Sequence, residues 1–227
     1  MVARRDEVFH KSPIEVERAI ATGLLQAKAV ELRPASPFTW SSGWKSPIYC
    51  DNRLILGYPV LREHIVRGFQ SIIEQSFPGI DSISGAATGG IAHAAFLADR
   101  LHLPMSYVRG SAKSHGRQKQ VEGYAVAGSK AVVIEDTLST GKSAYEAAEA
   151  LQSEGITVEA VLSIFSYDFD ALKERALKSH IPAYRLVPYD TLIDTAKELG
   201  VIRDEDVSLL RRWREAPDSY EVPSATL

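Results

Sequence analysis

The 227-residue sequence predicts an α/β fold, a mostly parallel twisted sheet with helices on both faces. Two observations point to it. From residue 80 onward, short apolar runs of strand length alternate with segments of helical period, the order that crossover connections produce. The composition, 45% hydrophobic and 24% charged, suits a globular chain long enough to bury a substantial core.

The elements follow in order. Ser12-Pro13-Ile14-Glu15 predicts a helix start, with Ser12 as N-cap, Pro13 at the first helical position and Glu15 at the third. Apolar Val16, Ile20, Leu24, Ala27 and Val30 extend this helix toward Pro34 and Pro37. Two strand-like runs, 38–41 and 47–51, joined across Ser42-Gly43, predict a small hairpin. A second helix is expected over 58–77, stopped by Pro78-Gly79. Strands are then expected at 80–85, 105–108, 131–135, 158–165 and 183–187. Helices fill 90–101, 139–153 and 168–179, with terminal helices at 192–199 and 204–213. The chain reads as one domain: N-terminal helix and hairpin over 12–56, α/β core over 57–200, C-terminal helix and tail over 201–227.

Composition excludes several classes. A net charge of −3 leaves no basic surface for nucleic acid. A single cysteine, Cys50, rules out an internal disulfide and any Cys-rich metal site. No run approaches the roughly 20 apolar residues of a membrane span. Residues 1–11 mix charges of both signs and lack the apolar centre of a secretory signal, so a cytoplasmic enzyme is expected.

The most informative segment is 132–143, Val-Val-Ile-Glu-Asp-Thr-Leu-Ser-Thr-Gly-Lys-Ser. An apolar strand ends in two carboxylates, Glu135 and Asp136, and a hydroxyl-rich loop leads into an Ala/Glu-rich helix. Such a layout puts free backbone N–H groups and the positive end of a helix dipole where an anion would sit. Ser139, Thr140 and Ser143 add hydroxyl donors, and Gly141 lets the backbone approach a ligand. Two acids beside a phosphate cradle suit a ligand with both a phosphate and vicinal hydroxyls, as in a ribose 5-phosphate. The plainer alternative is a strand–turn–helix crossover capped by Ser139. A Walker A loop is excluded, because it would need glycine where Asp136 stands.

A second polar segment runs from Arg109 to Ser129 and carries Arg109, Lys113, His115, Arg117 and Lys119 with almost nothing apolar until Val121. A loop of this length inside a compact domain is usually functional or disordered; its positive charges could clamp a diphosphate, and the plainer alternative is a solvated surface loop.

These segments resemble a known family. The 132–143 run resembles the phosphoribosyl-diphosphate (PRPP) motif of type I phosphoribosyltransferases. Arg109, Lys113, His115 and Gly116 resemble the mobile catalytic loop of orotate phosphoribosyltransferases, with Gly110 where many members have a second lysine. Residues 38–53 resemble the N-terminal segment that forms a hood over the orotate pocket in that family; Ser41 replaces the usual lysine, and Lys45 is a candidate substitute. The Gly85-Ala86-Ala87-Thr88-Gly89-Gly90 turn stands where the family holds the diphosphate, without the basic residue some members carry at Gly89. Tyr167 stands near where some relatives have an orotate-binding arginine.

The resemblance implies a type I phosphoribosyltransferase fold with a small hood, and transfer of the phosphoribosyl group from PRPP to orotate, giving orotidine 5′-monophosphate and diphosphate, in pyrimidine synthesis. Arg109, Lys113 and His115 would act on the diphosphate. Glu135 and Asp136 would hold the ribose hydroxyls. Thr137, Leu138, Ser139, Thr140, Gly141, Lys142 and Ser143 would hold the 5-phosphate, and Ser139 would also face orotate. Mg2+ would arrive on PRPP rather than in a protein cage. The family's loop exchange implies a homodimer in which loop 109–123 completes the partner's site. Alternatives on the same fold are a transferase for another base and a PRPP-binding transcription regulator. His93, His102 and His180 show no metal-ligand spacing and are expected in ordinary surface or helix roles. Asp190, Asp194 and the acids at 203–206 are expected in caps and solvated faces.

Overall fold

In the computed structural model, which describes residues 9–10, 13–39, 43, 45–110 and 120–219, the chain opens with a short strand, β1 (Phe9–His10), and a helix, α1 (Ile14–Gln26). α1 buries Ile20, Ala21, Leu24 and Leu25, a single apolar stripe. Pro13 takes the N-cap position with no side-chain cap, so the expected start is displaced by one residue; Ser12 lies outside the described residues. The helix also stops short of Val30. Lys28 adopts a left-handed φ of 53°, and the Ala29 N–H donates to the Leu24 carbonyl at 2.9 Å, which closes the C-terminus without glycine.

Val30 instead begins a strand, β2 (Val30–Leu32). β3 (Phe38–Thr39), β4 (Lys45–Ser46) and β5 (Ile48–Cys50) follow. The expected single hairpin is really two ribbons: β3 pairs antiparallel with β4, and β5 pairs antiparallel with β2. Ser46 explains the break, because its Oγ donates to the Ile48 carbonyl at 2.7 Å and turns the chain at Pro47.

A 3₁₀ turn (Asn52–Gly57) leads into α2 (Pro59–Ser76), β6 (Ser82–Ala86), α3 (Gly89–Leu101), β7 (Met105–Val108) and β8 (Val121–Gly123). Then come β9 (Lys130–Leu138), α4 (Lys142–Ser153), β10 (Thr157–Ser166), α5 (Asp170–Ser179), β11 (Ala183–Pro188), α6 (Tyr189–Glu198) and α7 (Asp204–Glu215). The main sheet has the order β1-β11-β10-β9-β6-β7-β8 and is parallel except for β8, which runs antiparallel to β7. β8 corrects the expectation of an unbroken loop from Arg109 to Ser129: Val121 is buried and pairs with Val108 at the sheet edge.

Alternation along the central strands makes two cores. Val132, Ile134, Leu162 and Ile164 face one cluster with Leu24 of α1, Phe69 of α2, Leu97 of α3, Leu192 of α6 and Trp213 of α7. Val133 and Val161 face the other, with Ala148 and Leu151 of α4 and Leu172 of α5. His102 and His180 sit in left-handed C-cap positions of α3 and α5. Among the described residues, no helix is long and apolar enough to cross a membrane.

Candidate active site

The carboxyl ends of β6, β7, β9 and β10 share one edge of the sheet, the usual ligand edge of an open α/β fold. The Gly-rich turn after β6, Arg109 after β7 and the acidic end of β9 are all delivered there. β9 is longer than expected and runs through Leu138, so both acids lie within the strand. α4 begins at Lys142, with Gly141 (φ 75°) in the position before it, not Ser139. A side chain at Gly141 would meet Leu172 and Tyr145, so the tight turn needs both its glycine conformation and its missing Cβ.

Glu135 and Asp136 are neighbours in different environments. Glu135 is 5% exposed; its Oε1 accepts from the Asp136 N–H at 3.0 Å, and its Oε2 accepts from Ser143 Oγ at 3.0 Å. Burial, reinforced by the Asp136 carboxylate, pushes the Glu135 carboxyl up to about 8. Asp136 is half-buried and lies against Gly89, where any Cβ would overlap its carboxyl carbon. A lysine at position 89 could therefore not coexist with this placement of Asp136. Gly90 is under the same constraint, since a Cβ there would run into the Ile134 carbonyl oxygen.

The loop residues take separate parts. Thr137 Oγ1 accepts from Asn52 Nδ2 at 2.9 Å and lies 3.4 Å from Cys50 Sγ. Leu138 is buried, and its carbonyl accepts from the Tyr167 N–H at 3.0 Å. Ser139 is half-buried, while Thr140 is exposed and its carbonyl accepts from Arg175 Nε at 3.2 Å. Lys142 is exposed, 3.9 Å from Glu146 one turn along α4. Ser143, expected to face phosphate, spends its hydroxyl proton on Glu135.

Arg109 stands at the neck of the basic loop. Its N–H donates to the Gln120 carbonyl at 3.0 Å, and its guanidinium pairs with Glu122 at 3.2 Å. Lys113 and His115 lie outside the described residues, as does Ser41. Gly110 is exposed with open space where a Cβ would be. Lys45 donates to Thr39 Oγ1 at 2.6 Å across the β3–β4 ribbon, on an exposed face. Tyr167 is 4% exposed, stacked on Phe169 at 5.2 Å and edge-on to Trp213 at 5.9 Å, so position 167 is enclosed in an aromatic cluster.

Three residues near the site carry no individual signal in the sequence, although Cys50 and Asn52 fall inside the 38–53 segment. Asn52 and Cys50 reach β9 from the N-terminal ribbons, a contact with no local signature beyond a polar Cys-Asp-Asn-Arg run after a strand. His93, expected in an ordinary role, is buried one turn after Gly89, and its Nδ1 has no hydrogen-bond partner among the described residues. Burial pushes it down to about 4, so it is neutral at physiological pH, despite the nearby Asp136.

A family model described as the phosphoribosyl transferase domain matches residues 60–187. Orotate phosphoribosyltransferase of Bacillus cytotoxicus is 48% identical over 202 residues, covering 89% of this chain and 96% of that protein. The enzyme of the same name from Staphylococcus saprophyticus is 50% identical over 198 residues, covering 87% and 98%. The crystal structure of orotate phosphoribosyltransferase from Aeropyrum pernix superimposes with a TM-score of 0.71 at 32% identity, over 81% of this chain and 99% of that one. Matched along nearly their whole length at such identity, and built on the same sheet, the chain belongs to the orotate phosphoribosyltransferases of the phosphoribosyl transferase domain family.

Proposed function

We propose that this chain transfers the 5-phosphoribosyl group of PRPP to orotate, forming orotidine 5′-monophosphate and diphosphate in de novo pyrimidine synthesis. The observation that carries the reading is the end of β9: Glu135 and Asp136 side by side, packed under the Gly89-Gly90 turn and followed by the 137–143 loop at the start of α4. Carboxylate oxygens accept from vicinal hydroxyls, and the loop's backbone N–H groups with the α4 dipole favour a phosphate.

In the reaction the bond from the ribose anomeric carbon to the diphosphate oxygen breaks, a bond to a ring nitrogen of orotate forms, and the proton of that nitrogen passes to the departing diphosphate or to solvent. Lys113, His115 and Arg109 stabilise the charge growing on the departing diphosphate. Glu135 and Asp136 hold the ribose hydroxyls and lie beside the positive charge that develops on the sugar. Residues 137–143 hold the 5-phosphate, and Ser139 also faces the orotate carboxylate. A Mg2+ ion would arrive on the substrate, and Asp136, half-buried at the end of β9, is the residue whose hard carboxylate oxygens could meet it. Bound through PRPP, such an ion supplies charge neutralisation at the diphosphate. The working unit is a cytoplasmic homodimer in which the loop between Arg109 and β8 reaches the partner's site.

The test is loss of orotate absorbance with purified protein, PRPP and Mg2+, beside Lys113→Ala. Turnover that collapses in the variant supports substrate and loop together. PRPP-dependent turnover of uracil or a purine, with none of orotate, would contradict the base assignment. PRPP binding without turnover of any base would favour a regulator.

A further inference from the structure

The acidic pair sits at the end of a strand that has lost one neighbour. The β6–β9 ladder ends at the pair Gly85 and Ile134, so Asp136 lies two residues beyond it. A buried backbone carbonyl left unpaired at such a place is costly. The missing neighbour is replaced by a side chain from outside the sheet. Asn52 is 1% exposed; its Nδ2 donates to the Asp136 carbonyl at 2.9 Å and to Thr137 Oγ1 at 2.9 Å. Both amide protons are therefore spent on the two residues that join the acidic pair to the phosphate loop. Asn52 Oδ1 is buried with no hydrogen-bond partner among the described residues, so the contacts this side chain makes at β9 are donated ones.

Resting on the PRPP reading above, we infer that Asn52 is a positioning residue for PRPP: it substitutes for the missing strand, fixes the backbone of Asp136 and Thr137, and so sets where the ribose hydroxyls and the 5-phosphate are gripped. The hood is thereby tied to the PRPP half of the site as well as to the orotate half. Cys50, 3.4 Å from the same Thr137 hydroxyl, packs beside this clip.

The experiment compares wild type, Asn52→Leu, Thr137→Val and the double variant. Calorimetry with PRPP and Mg2+, without orotate, gives the PRPP affinity; steady-state assays give both KM values and kcat; thermal unfolding reports folding. Loss of one to two hydrogen bonds predicts PRPP binding weaker by about tenfold in Asn52→Leu, with the orotate KM changed by less than about twofold. Because the two residues share a bond, the double variant should lose less than the product of the single losses. Unchanged PRPP affinity in Asn52→Leu overturns the inference. So does an equal rise in both KM values with a lowered melting temperature, the mark of a merely structural role. If wild type binds PRPP but turns over no orotate, the substrate reading fails while the affinity comparison still decides the role of Asn52. If wild type binds no PRPP, both fail.

Discussion

The end of β9 and the N-terminal ribbons meet at one site but are held by different means. β9 is nine residues long, paired with β10 along its length and with β6 up to Ile134, and its interior residues are fully buried. Glu135 and Asp136 inherit that rigidity. The ribbons consist of strands of two or three residues, held to the body by Val30 and Ile48, which are buried in the first core, and by a few polar contacts. Asn52 and Cys50 reach β9, and Trp213 Nε1 donates to the Lys45 carbonyl at 3.3 Å. A site made this way has a PRPP half set by the sheet and a hood half that depends on single residues.

Removing the anchor of the hood should have the largest effect. Trp213 is 2% exposed and packs with Tyr167, Phe169 and Tyr189. Trp213→Ala is expected to cost about 3–5 kcal/mol in denaturant unfolding. In assays the orotate KM should rise more than the PRPP KM; an equal rise would mean that the two halves are not separable.

Next comes the proton on Glu135. Its folded pKa is raised from 4.5 to about 8, so its contribution to stability is present below about pH 4.5 and is lost as pH rises through about 8. Relative to Glu135→Gln, wild type should lose on the order of 4 kcal/mol between pH 5 and pH 9, read from unfolding curves at each pH. Parallel curves would contradict the buried, proton-holding state.

Gly90→Ala attacks the sheet side, because the added methyl meets the Ile134 carbonyl. A loss of about 1–3 kcal/mol is expected, accompanied by weaker PRPP binding. The smallest effect is that of Ser143→Ala, which deletes one hydrogen bond to Glu135. It should cost about 1 kcal/mol and raise the pH at which Glu135 titrates, visible as a displaced step in the same pH series.

The difference between the halves also explains what could be read from sequence. The β9 end is local: apolar strand, two acids, hydroxyl loop and helix are contiguous, so Glu135 to Ser143 were legible as a unit. Even there the details shifted, because β9 extends through Leu138 and α4 waits for the left-handed Gly141. The ribbons look like one hairpin in sequence because the pairing of β5 with β2 is a non-local choice that no local pattern encodes. Val30 kept helical spacing but lies past the left-handed Lys28. β8 is three residues in a polar stretch, stabilised by pairing with β7 rather than by its own propensity. Asn52 and His93 were invisible as site residues because each acquires its environment only when α3, β9 and the 3₁₀ turn assemble.

The most direct test of the acidic end of β9 as the PRPP site is the PRPP dissociation constant of Asp136→Asn against wild type, with Mg2+ and without orotate. Loss of a charged acceptor at the ribose hydroxyls predicts weakening of roughly tenfold or more, with the fold intact. Equal affinity in the two proteins would place PRPP elsewhere on the molecule.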